Sequence, residues 1–95
     1  GDFNCDPHSD TRPSAAVFPR LKGNGFTLAE PKGDWSYHSG NGSGGTRIDH
    51  ALACPDVTIG EAKYVYKSGR HVLADTSGTA LSDHALLSIR VPRVA

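Results

Sequence analysis

The sequence predicts a small α+β domain that consists mainly of antiparallel strands and has one short helix. Three observations support this fold class. The chain has 95 residues, enough for one small domain. Its apolar residues fall into short segments separated by glycine, proline and polar residues, as expected for strands joined by turns. Hydrophobic residues make up 37% of the chain and charged residues 21%, which is the composition of a folded protein.

The one predicted helix spans residues 14–22. Thr11 or Ser14 is a candidate N-cap for this helix, and Gly23 is its candidate stop. Pro19 limits how regular the helix can be, because proline lacks a backbone N–H. The rest of the regular structure is therefore expected to be strand.

Five strands are predicted, separated by turns and two long loops. In the third strand, Ile48, His50 and Leu52 alternate with Asp49, Ala51 and Ala53, with the period of two that is typical of a strand. The predicted strands are 26–29, 35–38, 47–53, 57–66 with a bulge at Gly60, and 85–91. The loops are 39–46, which is rich in glycine, and 68–83.

The predicted strands need more covering structure than this sequence supplies. The last strand is apolar on both faces, and antiparallel strands covered on both faces need a second layer. The chain also contains no methionine, so we interpret residue 1 as a cut point and not as a translation start. We therefore expect residues 1–95 to be a fragment of a single larger domain.

The two cysteines, Cys5 and Cys54, are expected to be free thiols. If the strand that ends at Asp2 pairs antiparallel with the strand that starts at Asp49, Cys54 lies roughly 17 Å further along that strand. A disulfide requires Cα atoms within about 7 Å of each other.

Charge and hydropathy exclude some classes of function. The chain has 10 basic and 10 acidic residues and no basic run, so charge alone predicts no nucleic-acid partner, although a local patch in three dimensions remains compatible with one. No apolar segment approaches the length of a membrane span.

Five polar residues with chemical potential lie beside predicted strand ends or turns, namely Asp2, Asn4, Asp49, Asp83 and His84. Side chains at strand ends can converge at one edge of a sheet. Carboxylate oxygens are ligands that Mg²⁺ or Mn²⁺ prefers, and an amide can donate to a phosphoryl oxygen. A histidine beside a carboxylate can be kept protonated, which favours an anionic substrate. This set suits metal-assisted attack of water on phosphorus.

Three motifs, Gly-Asp-Phe-Asn at 1–4, Arg-Ile-Asp-His at 47–50 and Ser-Asp-His at 82–84, occur in this order. Together they resemble the endonuclease/exonuclease/phosphatase superfamily, which has the deoxyribonuclease I-like fold. The resemblance covers nearly the whole chain but only the second half of that fold, a two-sheet α/β sandwich with its active site at one rim. It implies that the N-terminal half is absent from this sequence.

The resemblance also implies a role for each residue of the site. Asp2 would orient or deprotonate the attacking water, and Asn4 would bind a phosphate oxygen. Asp49 would pair with His84, which would contact the scissile phosphate and stabilise its developing charge. Asp83 would take part in binding the divalent metal, which is expected to be Mg²⁺ with Mn²⁺ as a substitute.

The sequence departs from the family pattern at two points. Leu86 stands where the family often has proline, a change that leaves the chemistry untouched. The absent first half normally carries a metal-binding glutamate and an asparagine. Glu30 and Glu61, the only glutamates here, do not lie in a matching sequence context. We therefore expect the isolated chain to be inactive unless another segment completes the site.

Three further residues are candidates for substrate binding. Trp35 precedes the glycine-rich loop, where the family often has aromatic residues near the substrate, although core packing is the simpler role for it. Arg70 and His71 lie in the long loop before Ser82 and could contact phosphate. The glycine-rich loop is not a P-loop, because no Gly-Lys-Ser/Thr follows it, and we interpret it as a flap beside the site.

Three functions remain open at this point. The first is a metal-dependent hydrolase, most simply a nuclease or other phosphodiesterase, with phospholipid or inositol- or sugar-phosphate hydrolysis as the alternative substrate class. The second is a non-catalytic half-domain that pairs with another chain. The third is a module that binds phosphorylated ligands without turnover. A half-sandwich would expose an apolar sheet face, which predicts self-association, a swapped dimer or a companion chain.

Overall fold

The computed structural model describes residues 1–8, 11, 13–38, 44–76 and 80–92. In chain order, the elements are a 3-10 helix at Pro13–Ala16, helix α1 at Val17–Gly23, and strands β1 Thr27–Leu28, β2 Tyr37–His38, β3 Gly45–Thr46, β4 Leu52–Ala53, β5 Ala62–Val65, β6 Lys67–Ser68, β7 His71–Val72 and β8 Leu86–Ile89. The predicted α+β class, with one short helix and several antiparallel strands, is confirmed. Most of the predicted flap at 39–46 lies outside the described residues.

The helical segment begins and ends close to the predicted positions, but its stop is two residues later than expected. Pro19 lies in the first turn of α1, where a backbone N–H has no helical partner to lose. The helix continues through Gly23, and Gly25 adopts the left-handed conformation with φ +89°. The N–H groups of Gly25 and Phe26 donate to carbonyls of the last helical turn, which is the hydrogen-bond pattern of a Schellman C-cap.

The strands form four antiparallel pairs, β1–β4, β2–β3, β5–β8 and β6–β7. The longest pair is β5–β8, whose register runs from Ala62 opposite Ile89 to Val65 opposite Leu86. Isolated bridges connect the pairs to their neighbours, and those at Asp2–Asp49 and Tyr37–His84 are antiparallel. The bridge between Lys32 and Lys63 is parallel. The pairing is therefore mostly antiparallel, as the sequence predicts.

Several predicted elements differ from the structure. Strand β3 occupies the last two residues of the predicted loop 39–46. The predicted strand 47–53 is reduced to β4 and the bridge at Asp49. The N–H groups of Ile48 and Asp49 donate to the buried Ser36 hydroxyl and not to a neighbouring strand. The predicted loop 68–83 contains the hairpin β6–β7, in which Gly69 turns the chain with φ +60°. A two-residue Gly-X turn of this kind suits the twist of a hairpin.

The predicted strand 57–66 is shortened to β5, Ala62–Val65. The bulge predicted at Gly60 is confirmed and lies just before β5. The Gly60 N–H donates to the Arg90 carbonyl, while the Arg90 N–H donates to the Glu61 carbonyl. Two residues of one strand therefore oppose a single residue of the other, which defines a bulge. The predicted closing strand 85–91 is present as β8.

In the part of the chain that the structure describes, buried side chains form two separate clusters. The first consists of Cys5, Phe18 and Leu28, packed against Phe3, Ala15 and Leu52. The second consists of Tyr64, Ala74 and Ala85, packed against Trp35, Tyr66 and Leu87. Cys5 is buried and Cys54 is exposed, and the two do not form a disulfide, as predicted. Among the described residues, no helix has the length and apolar character that crossing a bilayer requires.

Candidate active site

The segment at residues 48–50 lies beside the N-terminal segment. Asp2 and Asp49 form an antiparallel bridge. The Phe3 N–H donates to the Ile48 carbonyl at 2.8 Å, and the His50 N–H donates to the Gly1 carbonyl at 2.9 Å. The N-terminal ammonium donates to the His50 carbonyl at 2.8 Å. These bonds place the side chains of the first two sequence motifs next to each other.

The third motif reaches the same place through β2. Tyr37 and His84 form an antiparallel bridge, and the His38 N–H donates to the Asp83 carbonyl at 3.0 Å. The Tyr37 and His84 rings lie 5.1 Å apart between centroids, tilted by 52°. The His84 N–H donates to the Ser82 hydroxyl oxygen at 3.0 Å, which fixes the turn before β8. His84 is thus held on both its backbone and its ring.

The centre of the site is the contact between His84 and Asp49. Nδ1 of His84 lies 2.8 Å from Oδ2 of Asp49, within hydrogen-bond distance. The Asp49 side chain is 13% exposed and that of His84 is 30% exposed, so the pair is shielded but reachable from solvent. Because Nδ1 faces a carboxylate, it carries a proton and donates a hydrogen bond to Asp49. This holds for the neutral tautomer of His84 that fits the contact and for the charged imidazolium.

Asp2 approaches the other ring nitrogen of His84. Its Oδ2 lies 3.8 Å from Nε2, and its Oδ1 accepts the N–H of Asn4 at 2.9 Å. The second bond closes a turn in which Asn4 has φ +55°, a left-handed conformation that asparagine tolerates better than most residues. Asp2 is exposed, and its Oδ2 and Nε2 of His84 therefore border one solvent-accessible spot.

The environment of His84 favours its charged form. Burial by itself lowers the pKa of His84, but the hydrogen bond to Asp49 and the negative charges of Asp49, Asp2 and Asp83 outweigh that effect. The pKa of His84 is therefore raised above its ordinary value of 6.5. A protonated imidazole at this position suits an anionic ligand.

The same carboxylates form a candidate cation site. One ligand atom from each of Asp2, Asp49 and His84 lies within 4.8 Å of the others. Two carboxylates suit the oxygen preference of Mg²⁺ or Mn²⁺, whereas Nδ1 of His84 is already engaged by Asp49. The donor set therefore fits a divalent cation in part, and octahedral coordination requires further oxygens.

Asp83, the predicted metal ligand, does not belong to this three-residue cluster among the described residues. Its side chain is exposed, and its charge acts on His84. Glu30 lies elsewhere in the structure, in an exposed pair with His8 whose Nε2 and Oε2 atoms are 2.9 Å apart.

The three candidates for substrate binding occupy two different environments. Trp35 belongs to the second buried cluster, and its ring centroid lies 4.6 Å from that of Tyr66. Arg70 and His71 are exposed on the β6–β7 hairpin, where they border a groove with Val72, Asp75, Ala80 and Leu81. They are thus accessible to a ligand, whereas Trp35 is half-buried in the core.

Two residues that support Asp49 were not singled out as site residues in the sequence. The buried Ser36 accepts the N–H groups of Ile48 and Asp49 at 2.9 and 3.0 Å. Tyr64 donates its hydroxyl to the Asp49 carbonyl at 2.8 Å, and burial, opposed by nearby Arg47, raises the pKa of Tyr64. Ser36 lies just before β2 and Tyr64 lies in β5, and neither belongs to a sequence motif. The only signal for Ser36 is a small polar residue between two aromatic ones, Trp35 and Tyr37.

His50 follows Asp49 but has a structural environment. It is 3% exposed, its Nε2 lies 2.8 Å from the Cys5 carbonyl oxygen, and its ring packs edge-on against Phe18 at 5.3 Å. The side chain of its neighbour Asp49 points toward His84. Successive side chains of this segment therefore point to opposite faces, that of Asp49 into the site and that of His50 into the core.

In a comparison with known protein families, one family model matches a range of residues that includes all three motifs. The model of the Endonuclease/Exonuclease/phosphatase family matches residues 1–84. No curated protein and no solved structure matches the chain.

Proposed function

The chain belongs to the endonuclease/exonuclease/phosphatase family, and we propose that it carries catalytic residues of a metal-dependent phosphoesterase, most simply a nuclease or other phosphodiesterase. The family consists generally of hydrolytic enzymes and typically depends on a divalent metal. One observation carries the proposal. The Asp49 and His84 side chains are 2.8 Å apart, and the Asp2 side chain lies beside them. Residues from three motifs, the first and last of them 82 positions apart in the sequence, therefore meet at one place.

His84 supplies positive charge to the substrate in this proposal. Asp49 holds Nδ1–H and leaves Nε2–H free to donate to a phosphoryl oxygen. As water attacks phosphorus, negative charge grows on that oxygen, and a charged donor fixed in advance stabilises it. The raised pKa of His84 keeps the imidazolium populated closer to neutral pH.

Asp2 is the proposed base for the attacking water. Its Oδ1 is held by the Asn4 N–H, which leaves Oδ2 on the side of His84 to accept a proton from water. The new oxygen–phosphorus bond forms as the bond to the leaving group breaks, and the alkoxide released takes a proton from solvent water to become the alcohol. The Asn4 side chain is proposed to bind a phosphate oxygen.

A divalent cation completes the proposed chemistry. Bound Mg²⁺ or Mn²⁺ would neutralise charge on the phosphate and the leaving oxygen. Asp83 would hold it as the carboxylate proposed from the sequence, and Asp49 borders the same spot. We propose that the remaining ligands come from water, substrate and an N-terminal segment of the same domain, since three candidate ligand atoms do not satisfy octahedral coordination.

The hairpin β6–β7 offers a site for a polar or charged part of the substrate. Arg70 and His71 are exposed there beside a groove that Leu81 also borders, just before the third motif. We propose that they contact additional phosphates of a nucleic acid. Arginine is well suited to this role because its planar guanidinium forms two parallel hydrogen bonds to a phosphate.

A second candidate substrate, a phospholipid or another phosphoester with an apolar substituent, is favoured by one observation. An apolar groove beside the site is lined by Leu73, Leu81, Ser82, His84, Ala85 and Leu86. Leu81 is 78% exposed and Leu86 57% exposed. An alkyl chain in this groove would lie next to the residue that contacts the phosphate.

The proposed function is tested by hydrolysis of bis-p-nitrophenyl phosphate and supercoiled plasmid in Mg²⁺, in Mn²⁺ and in EDTA. The assay uses this chain and, separately, the protein with its upstream sequence restored. We expect metal-dependent hydrolysis by the longer protein and none by the chain alone. No hydrolysis by a folded longer protein would contradict the proposal and favour a binding or pairing module.

The two substrate classes are separated by a second comparison in the longer protein. Methyl p-nitrophenyl phosphate and its long-chain alkyl counterpart are hydrolysed side by side, in the native protein and in the Leu81→Ser variant. A nucleic-acid enzyme should cleave plasmid and gain little from the alkyl chain. A lipid enzyme should prefer the long chain and lose that preference in the variant.

A further inference from the structure

We propose that Ser36 is a positioning residue that holds the Asp49–His84 pair in its reactive geometry. This inference rests on the proposed function of that pair. Ser36 lies in the segment just before β2, between the strand segments that carry Asp49 and His84. It is 0% exposed, so it cannot touch substrate, and its influence must pass through the residues it holds.

The Ser36 hydroxyl forms hydrogen bonds to the backbone of the segment that carries Asp49. It accepts the N–H of Ile48 at 2.9 Å and the N–H of Asp49 at 3.0 Å, and it donates to the Thr46 carbonyl at 3.3 Å. A hydroxyl has one donor and two acceptor positions, and these three backbone contacts match them; the Tyr64 hydroxyl also lies within hydrogen-bond reach of Ser36. The amides of Ile48 and Asp49 are therefore held by this side chain, while the carbonyl of Ile48 and the amide of His50 bond to residues 1–3.

The Ser36 backbone holds the other side. Its carbonyl accepts the N–H of Ala85 at 2.6 Å, directly after His84, and its own N–H donates to the Thr46 carbonyl at 2.9 Å. The next residue, Tyr37, forms the bridge with His84. One residue thus links both segments whose side chains meet at the 2.8 Å contact between Nδ1 and Oδ2.

This position requires a small side chain with a hydroxyl group. Alanine has no polar atom, so Ile48 and Asp49 would keep buried N–H groups without their acceptor, and the segment would shift to find another. Threonine retains the hydroxyl, and cysteine retains the approximate shape with a much weaker hydrogen-bonding group. Small displacements matter because a misplacement of about 1 Å can cost about a hundredfold in rate.

The test combines spectroscopy with kinetics. NMR spectra of the chain report the Nδ1–H proton of His84 and the amide signals of Ile48 and Asp49 in the native protein and in the Ser36→Ala, Ser36→Thr and Ser36→Cys variants. Ser68→Ala, an exposed serine on β6, is the matched control. Hydrogen exchange of the Ile48 and Asp49 amides in the native protein measures the proposed contact directly.

We expect slow exchange of both amides in the native protein, comparable with that of residues 62–65. Ser36→Ala and Ser36→Cys should lose the downfield Nδ1–H signal while the remaining amide signals stay dispersed. Ser36→Thr should retain the signal, and Ser68→Ala should match the native spectrum. In the catalytically complete protein, Ser36→Ala should lower kcat about 10- to 100-fold and change KM by less than about twofold.

Two results would overturn the proposal. One is rapid exchange of the Ile48 and Asp49 amides in the native protein, which requires no variant to fold. The other is a folded Ser36→Ala or Ser36→Cys protein with the native Nδ1–H signal. Neither readout depends on turnover, so a failure of the proposed phosphoesterase activity is distinguishable from a failure of the positioning role.

Discussion

At the scale of single residues, the site depends on contacts made by a few short polar side chains. Asp49 accepts from His84, while Ser36 and Tyr64 hold the backbone of Asp49 from two directions. Asp2 is fixed by the turn it makes with Asn4. Because each carboxylate has a short side chain, its position follows closely from its backbone, and backbone contacts therefore control the chemistry.

The first prediction concerns the Asp49→Asn substitution. An amide cannot offer the negative charge of Asp49, so we expect a lower pKa for His84 than in the native chain, measured by NMR titration of the ring protons. The His71→Asn variant changes an exposed residue of β7 and should leave the titration of His84 unchanged. An unchanged pKa in Asp49→Asn would contradict the role given to this contact.

The same pair predicts how stability varies with pH. The pKa of His84 is raised in the folded state, so its contribution to stability is fully present below 6.5 and is lost as pH rises through the higher folded value. In denaturant titrations at a series of pH values, Asp49→Asn should weaken this loss. An identical pH dependence in both proteins would mean that the pair adds no linked stability.

At the scale of elements, the sequence predicts the strands that carry motifs better than the connections between them. Asp2, Asp49 and His84 could be placed near strand ends because carboxylates and histidine there stand out against apolar neighbours. The sequence predicts a loop where the hairpin β6–β7 lies, because the two strands are short and exposed. The glycine at position 69, followed by Arg70, is the only feature of the sequence that indicates a hairpin turn here. The contact of Ser36 with residues 48 and 49 spans a loop, so local pattern could not reveal it.

The C-terminus of α1 provides a prediction with a matched pair of substitutions. An added Cβ at Gly23 meets nothing within 4 Å, whereas at Gly25 it meets Pro55 at 2.9 Å with φ +89°. Gly23→Ala should raise the free energy of unfolding by about 0.5–1 kcal/mol, because alanine favours the helix. Gly25→Ala should lower it by about 1–2 kcal/mol, because a left-handed residue with a Cβ is strained.

Chemical denaturation of the two variants beside the native chain measures both effects. Equal effects of the two substitutions would contradict the Schellman cap at Gly25. The site lies away from this helix end, so neither change should alter the Nδ1–H signal of His84.

At the scale of the whole molecule, the chain is flat. Its extents are 39 × 37 × 15 Å, and its radius of gyration of 14.5 Å exceeds the about 12 Å expected for a compact domain of this length. The core is divided into two clusters, and Leu81 and Leu86 are exposed. We propose that a further layer, from the same domain or a companion chain, packs on this flat molecule. This follows the sequence-based expectation that the strands need a second layer.

A core this thin predicts high sensitivity to a single truncation. Phe18 is 1% exposed and packs against Phe3 and His50, which connect the first cluster to the strands of the site. Phe18→Ala should lower the free energy of unfolding by about 3–5 kcal/mol, a large share of the stability of a small domain. Thermal denaturation followed by circular dichroism checks this, with exposed Val17→Ala as the control. Similar melting temperatures for the two variants would contradict the first cluster as a stabilising core.

The most direct measurement is hydrolysis of bis-p-nitrophenyl phosphate by the protein with its upstream sequence, comparing the native form with His84→Ala and His8→Ala. His8 is an exposed histidine paired with Glu30 and is the matched control. We predict Mg²⁺-dependent turnover that EDTA abolishes, that falls by about 10²-fold or more in His84→Ala, and that is unchanged in His8→Ala. Near-native turnover in a folded His84→Ala protein, or no turnover in a folded native protein, would contradict the proposed active site.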